Sequence, residues 1–137
     1  MNITAGKILL ESEARQIPSS ALAYLGDSVI EIMVREKLVL GGAKNPSVKS
    51  LEYVTAPAQS DAVEKIAPLL TDVEDDVFRR GRNSVHSGVP KHASVAQYRR
   101  ATGLECLFGY LYISGQNERA RELFEIGFAK SPEESKE

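Results

Sequence analysis

An all-α domain is the fold class this sequence predicts, and three observations carry that expectation. Apolar residues recur at helical spacing almost throughout. No stretch shows strict alternation with β-branched enrichment, and prolines and most glycines fall where periodic stretches begin or end. With 137 residues, 42% hydrophobic and 26% charged, the chain has ordinary globular usage and room for one core but not for a second folded module. The expected organisation is one domain over 1–130 and a charged, uncapped tail over 131–137 that stays disordered.

Each element has its own justification. The first long helix starts at Ser19 or Ser20 as N-cap, after Pro18, and carries Leu22, Leu25, Val29 and Ile32 on one stripe to about Val39, before Gly41 and Gly42. Shorter helices are expected over 47–55 and 58–70. Thr71 with Glu74, and Ser94 with Gln97, have capping-box spacing, so helices should start near 72 and near 95. A polar loop over 81–93, with Gly81, Gly88 and Pro90, joins them. Asn117 is the expected cap of a last helix with Ala120, Leu123, Phe124 and Phe128.

Charge is nearly balanced, 17 basic against 19 acidic side chains, but unevenly spread. No carboxylate lies between Asp76 and Glu105, whereas 77–104 holds Arg79, Arg80, Arg82, Lys91, Arg99, Arg100, His86 and His92. The remaining chain keeps 11 of the basic side chains and all 19 acidic ones, so it should repel a polyanion. Arg79, Arg80 and Arg82, followed by Asn83 and Ser84 at a helix end, suit phosphate contacts; a solvated face is the plainer alternative. Cys106 stands alone among apolar neighbours and reads as a core residue in a reducing compartment. The start of the chain has no basic region leading into an apolar stretch. The longest apolar run, Cys106 to Ile113, is far below the roughly 20 residues of a membrane span, so the cytoplasm is the expected location.

Two acids sit in apolar helical surroundings. Glu105 is the one acid of 101–116, and Asp27 lies between Leu25 and Val29. An unpaired buried carboxylate costs several kcal/mol, so Glu105 must be salt-bridged, for instance to Arg99 or Arg100, protonated, or bound to a metal. Glu31 has Arg35 one turn on and reads as a surface pair. Gly26 precedes Asp27, and Gly109 lies one turn after Glu105, although a mid-helix glycine costs roughly 1 kcal/mol. Close helix approach would compensate for that cost. If the helices cross there, Asp27 and Glu105 converge on a shared cation, and two hard oxygen donors suit Mg²⁺ or Mn²⁺ completed by waters and substrate phosphate. A zinc site, a glycine-rich nucleotide loop and a Ser-His-Asp set are not apparent, and His86 and His92 read as loop residues near phosphate.

These residues resemble a family. Leu22-Ala23-Tyr24-Leu25-Gly26-Asp27-Ser28-Val29 resembles the signature helix of ribonuclease III, and Glu105-Cys106-Leu107-Phe108-Gly109-Tyr110-Leu111-Tyr112 its second acidic helix. Arg79-Arg80-Gly81-Arg82-Asn83-Ser84, Val89-Pro90-Lys91 and Tyr98-Arg99-Arg100-Ala101-Thr102-Gly103-Leu104-Glu105 resemble its bacterial Mini-ribonuclease III branch. The likeness runs from about Ala21 to Phe128. It implies a homodimer that cuts double-stranded RNA with Mg²⁺, lacks a separate RNA-binding domain and matures large-subunit (23S) ribosomal RNA, with a ribosomal protein as a candidate further partner. It also implies that Asp27 and Glu105 are the catalytic, metal-binding pair. Departures from full-length ribonuclease III fall at Ser20, Ala23 and Thr102, where that family has acids, so the centre is thinned to two carboxylates. The expected reaction is hydrolysis giving 5′ phosphates and staggered ends, with Arg79, Arg80, Arg82, Asn83, Lys91 and Arg99 on flanking phosphates. Two rivals stay open on sequence alone: a non-catalytic helical RNA-binding or ribosome-assembly module, and a helical protein-interaction domain.

Overall fold

The structure, a computed structural model, describes residues 7–85 and 93–130. The described residues are all-α. In chain order they form α1 (Glu11–Ala14), α2 (Ser19–Leu40), α3 (Pro46–Lys49), α4 (Leu51–Val54), α5 (Ala56–Ile66), a 3₁₀ turn (Ala67–Leu69), α6 (Asp72–Asn83), α7 (Val95–Ile113) and α8 (Asn117–Gly127). His86, Lys91, His92 and the segment 131–137 lie outside the described residues, and so do the expectations placed on them.

The middle of the molecule is α7. After an exposed first turn, every position from Ala101 to Leu111 is buried or half-buried, so this stretch lies in the core rather than on a surface. α2 packs along it most extensively, then α6 and α5, with α8 closing against α5 and α7. Leu104, Leu107, Phe108 and Leu111 of α7 are wholly buried, as are Leu22, Ile30 and Val34 of α2. Each such side chain contributes about 1.5–3 kcal/mol relative to leaving it in water. Cys106 is buried among them.

Both predicted capping boxes form. Thr71 accepts from the Glu74 amide at 3.1 Å while the Glu74 carboxylate accepts from the Thr71 amide at 2.9 Å. Ser94 and Gln97 make the same reciprocal pair at 3.0 and 3.1 Å. Other boundaries differ from expectation, each for a local reason. Pro18, not a serine, holds the cap position of α2, its carbonyl accepting from the amides of Ala21 and Leu22. The expected 47–55 helix breaks at Ser50, whose hydroxyl bonds back to the Ser47 carbonyl at 2.9 Å and competes with the helix. The next helix starts earlier, at Ala56 after the Thr55 cap, and Pro68 leaves its last turn 3₁₀. Gln116 rather than Asn117 holds the cap position of α8. The buried stripe of α2 is Leu22, Ala23, Gly26, Val29, Ile30, Val34 and Leu38, leaving Leu25 half-buried and Ile32 exposed. The expected loop begins later than 81, because Gly81 is helical and buried: a Cβ there would lie 2.5 Å from the Cys106 Cβ, so α6 runs on to Asn83 pressed against α7. Four-residue α1 is too short to announce itself by periodicity.

Candidate active site

The site begins with a backbone contact. A Cβ on Gly26 would sit 1.6 Å from the carbonyl oxygen of Glu105, and one on Gly109 would sit 2.0 Å from that of Leu22. No side chain fits at either place, so α2 and α7 cross main chain to main chain, as the two mid-helix glycines suggested. The crossing brings together the neighbours of those glycines. Asp27, exposed, and Glu105, half-buried, face the same open cavity of about 430 Å³. Ser20, Ala23 and Tyr24 of α2, Tyr98 and Thr102 of α7, and Ser84 beyond α6 complete most of its wall.

Electrostatically the pair is unbalanced. Burial, followed by the charge of Asp27, pushes the Glu105 carboxyl up to about 8; a hydrogen bond from the Gln59 side chain works the other way, and a hydrogen bond with Asp27 and the charge of Glu31 add to the rise. No Lys or Arg pairs with Glu105 among the described residues. Neither arginine named for the salt-bridge alternative takes that role: Arg100 donates to the Ser60 hydroxyl at 3.1 Å, and Arg99 is exposed. Glu31 pairs with Arg35 at 3.7 Å, as its spacing suggested. Two carboxyls held together without a cation share protons or accept a positive ligand. Among the described residues there is no group of three or more His, Cys, Asp or Glu that could hold a metal.

The basic residues have divided roles. Arg79 pairs with Asp75 at 2.9 Å on the outer face of α6. Arg80 is half-buried and donates to the Arg15 carbonyl at 2.8 Å, fastening the segment after α1. Arg82 donates to Asn83 Oδ1 at 3.2 Å with its guanidinium 5.9 Å over the Phe78 ring. Sequence reasoning missed Gln59. It sits three, four and seven residues before the buried Ala62, Val63 and Ile66, a polar residue on an apolar stripe, and that spacing was its signal.

The model of the ribonuclease III domain matches residues 20–116, spanning both acidic helices and the crossing between them. The chain belongs to the ribonuclease III family. A Mini-ribonuclease 3 of Symbiobacterium thermophilum is 44% identical over 112 residues, 80% of this chain and 86% of that protein. A Mini-ribonuclease 3 of Thermoanaerobacter is 37% identical over 125 residues, 88% of this chain and 87% of that one. A crystal structure of a Fusobacterium nucleatum protein superposes with a TM-score of 0.74 at 26% identity, covering 83% of this chain and 93% of the other. The chain is thus an endoribonuclease of the Mini-ribonuclease III branch. Among the described residues of this endoribonuclease, no helix is long and apolar enough to cross a membrane.

Proposed function

We propose that this endoribonuclease hydrolyses double-stranded RNA with a divalent cation, Mg²⁺ or in its place Mn²⁺, held by Asp27 and Glu105. The observation that carries the reading is the meeting of these two carboxylates in one open cavity with, among the described residues, no cationic side chain paired to Glu105. Hard oxygen donors of this kind fit such a cation, and its binding would displace the proton that Glu105 otherwise keeps. When bound, the cation supplies Lewis acidity toward water and toward the scissile phosphate. The chain's own part is positional: α2 and α7 fix the two ligands, and Ser20, Ala23 and Thr102 leave the floor open to phosphate.

The substrate grip falls to Arg79, Arg80, Arg82, Asn83, Lys91 and Arg99 in the carboxylate-free stretch, reading duplex shape through phosphates. The catalytic domain is assigned to 1–130, with 131–137 as a tail. Two copies would act together, one per strand, joined over the α2 face that leaves Tyr24 and Ile32 85% and 54% exposed. The biological substrate is assigned as the precursor of large-subunit (23S) ribosomal RNA in the cytoplasm, a ribosomal protein being a candidate partner in presenting it.

The test uses end-labelled RNA duplex with and without Mg²⁺. We expect cutting only with the cation, 5′-phosphate ends, no cutting of single strands, no activity in Asp27→Asn, and a solution mass twice the 15.0 kDa of one chain. Cutting that survives chelation, or 2′,3′-cyclic phosphate ends, overturns the reading.

A further inference from the structure

The cavity that Asp27 and Glu105 face has a second character. Among the described residues its walls carry no lysine, arginine or histidine, yet five of the lining side chains bear hydroxyls: Ser20, Tyr24, Ser84, Tyr98 and Thr102. An RNA strand entering the cavity presents phosphates, and these walls can meet a phosphate only with neutral donors. Not all five are free to donate. Thr102 gives its proton to the Tyr98 carbonyl at 3.0 Å, and Ser84 gives its own to the Gly81 carbonyl at 2.7 Å. Ser20 is short and exposed on the first turn of α2, and Tyr24, 85% exposed, lies on the face assigned above to the joining of two copies.

Tyr98 differs from these four. It is half-buried, so its ring is held by the protein, yet its hydroxyl has no hydrogen-bond partner among the described residues. Nor is that hydroxyl sealed in, because among the described residues the buried side-chain oxygen or nitrogen without a partner is Gln59 Oε1. The phenol oxygen is therefore open. Tyr98, Thr102 and Glu105 follow one another at four and three residues, so one stripe of α7 turns all three to the cavity. Seven residues of helix rise separate Tyr98 from Glu105 by about 10 Å, more than the breadth of one phosphate, and both side chains lean the same way along the helix.

We propose that Tyr98 is a substrate-binding residue, its hydroxyl donating to the backbone phosphate next to the one that is cut. The inference rests on Asp27 and Glu105 marking the place of cleavage. The residue type follows from the task. A lysine or arginine there would be drawn to the two acids and compete with a cation, and a phenylalanine would complete the wall but donate nothing, whereas a phenol reaches out as a neutral donor. Because the ring is already packed, the bond forms with little side-chain freedom left to lose. The contact lies away from the reacting atoms, so it fixes the strand over the acids and leaves the chemical step to them.

The experiment is single-turnover cleavage of an RNA duplex in Mg²⁺ by wild type and Tyr98→Phe, with melting temperatures. Two further duplexes carry a single methylphosphonate, one at the phosphate before the mapped cut and one at the phosphate after it. On the unmodified duplex we expect Tyr98→Phe to raise the half-saturating concentration about 10-fold, with the maximal rate and the melting temperature unchanged. On one of the modified duplexes, where the phosphate has lost its charge, that penalty should shrink to about twofold or less. An unchanged half-saturating concentration overturns the inference, as does a penalty that persists in full on both modified duplexes or falls only on the maximal rate. A melting temperature lowered by the substitution overturns it too, since the hydroxyl would then have a partner in the fold. Failure of wild type to cut the unmodified duplex in Mg²⁺ overturns the reading of the acids themselves, and this inference with it.

Discussion

Glu74 and Glu105 are both glutamates on helices packed into one core, and their surroundings treat them oppositely. Glu74 is met by an Arg119 fork, Nε to Oε2 at 2.9 Å and Nη2 to Oε1 at 2.8 Å, while Arg119 also donates to the Leu69 carbonyl at 2.8 Å. Burial pushes Glu74 upward, but the bonds from Arg119 and Thr71 outweigh it and leave the carboxyl below its ordinary value. Glu105 meets no partner of that kind among the described residues; burial and Asp27 leave it at about 8. The first carboxylate joins α6 to α8. The second is held in a state that an added cation would relieve, so a fold that can satisfy a buried acid leaves this one unsatisfied at the cavity.

The largest expected effect of breaking that contrast is on turnover. Glu105→Gln should lower duplex cleavage about 10³-fold, about 4 kcal/mol of transition-state stabilisation, and should raise the melting temperature of the metal-free protein near neutral pH. Single-turnover cleavage and thermal melting on the same preparation check it; a variant that cuts normally would put Glu105 beside Glu74 as structural. The reciprocal change, Glu74→Gln, should cost about 2–3 kcal/mol by stranding Arg119, lowering the melting temperature by about 10 °C, yet cut RNA at the wild-type rate where it is folded. Slowed cutting in folded Glu74→Gln would dissolve the distinction.

The smallest effect is in pH. The carboxyl of Glu105 is raised from 4.5 to about 8, so its stabilising contribution is complete below about pH 4.5 and is lost as pH rises through about 8. Glu74 is lowered, so its contribution is present above 4.5 and is lost as pH falls through its folded value. Melting curves of the metal-free protein should therefore show the gap between Glu105→Gln and wild type opening toward alkaline pH, and that between Glu74→Gln and wild type closing toward acid. A gap for Glu105→Gln that stays constant from pH 5 to 9 would mean that the acid is ionised throughout.

The contrast was half legible in the sequence. Glu105 and Asp27 stood out because an acid in an apolar helix must be accounted for, and Gly26 and Gly109 stood out because a mid-helix glycine is costly without a reason. Thr71 and Ser94 announced two helix starts through side-chain chemistry alone. Glu74 gave no sign of its burial, because its partner Arg119 lies 45 residues away and only tertiary packing unites them. Nor did Arg80 show that it bonds to the Arg15 carbonyl rather than only facing solvent. Gln59 was hidden in Ala56-Pro57-Ala58-Gln59-Ser60-Asp61, where a polar segment masks the one stripe that turns inward. Local rules reported what each residue needs, and the partner that meets the need is set by contacts distant along the chain.

The glycine crossing has a consequence for how much the protein can change. Where α2 and α7 meet at Gly26 and Gly109, no side chain intervenes, so the spacing there is set by van der Waals radii of peptide atoms rather than by the volumes of core residues. Substitutions elsewhere along α7, at Leu107 or Leu111 for example, can alter packing and melting temperature without acting as shims between the two acids. The core is thereby free to be tuned for temperature while the span across which the acids face each other stays as the main chain sets it.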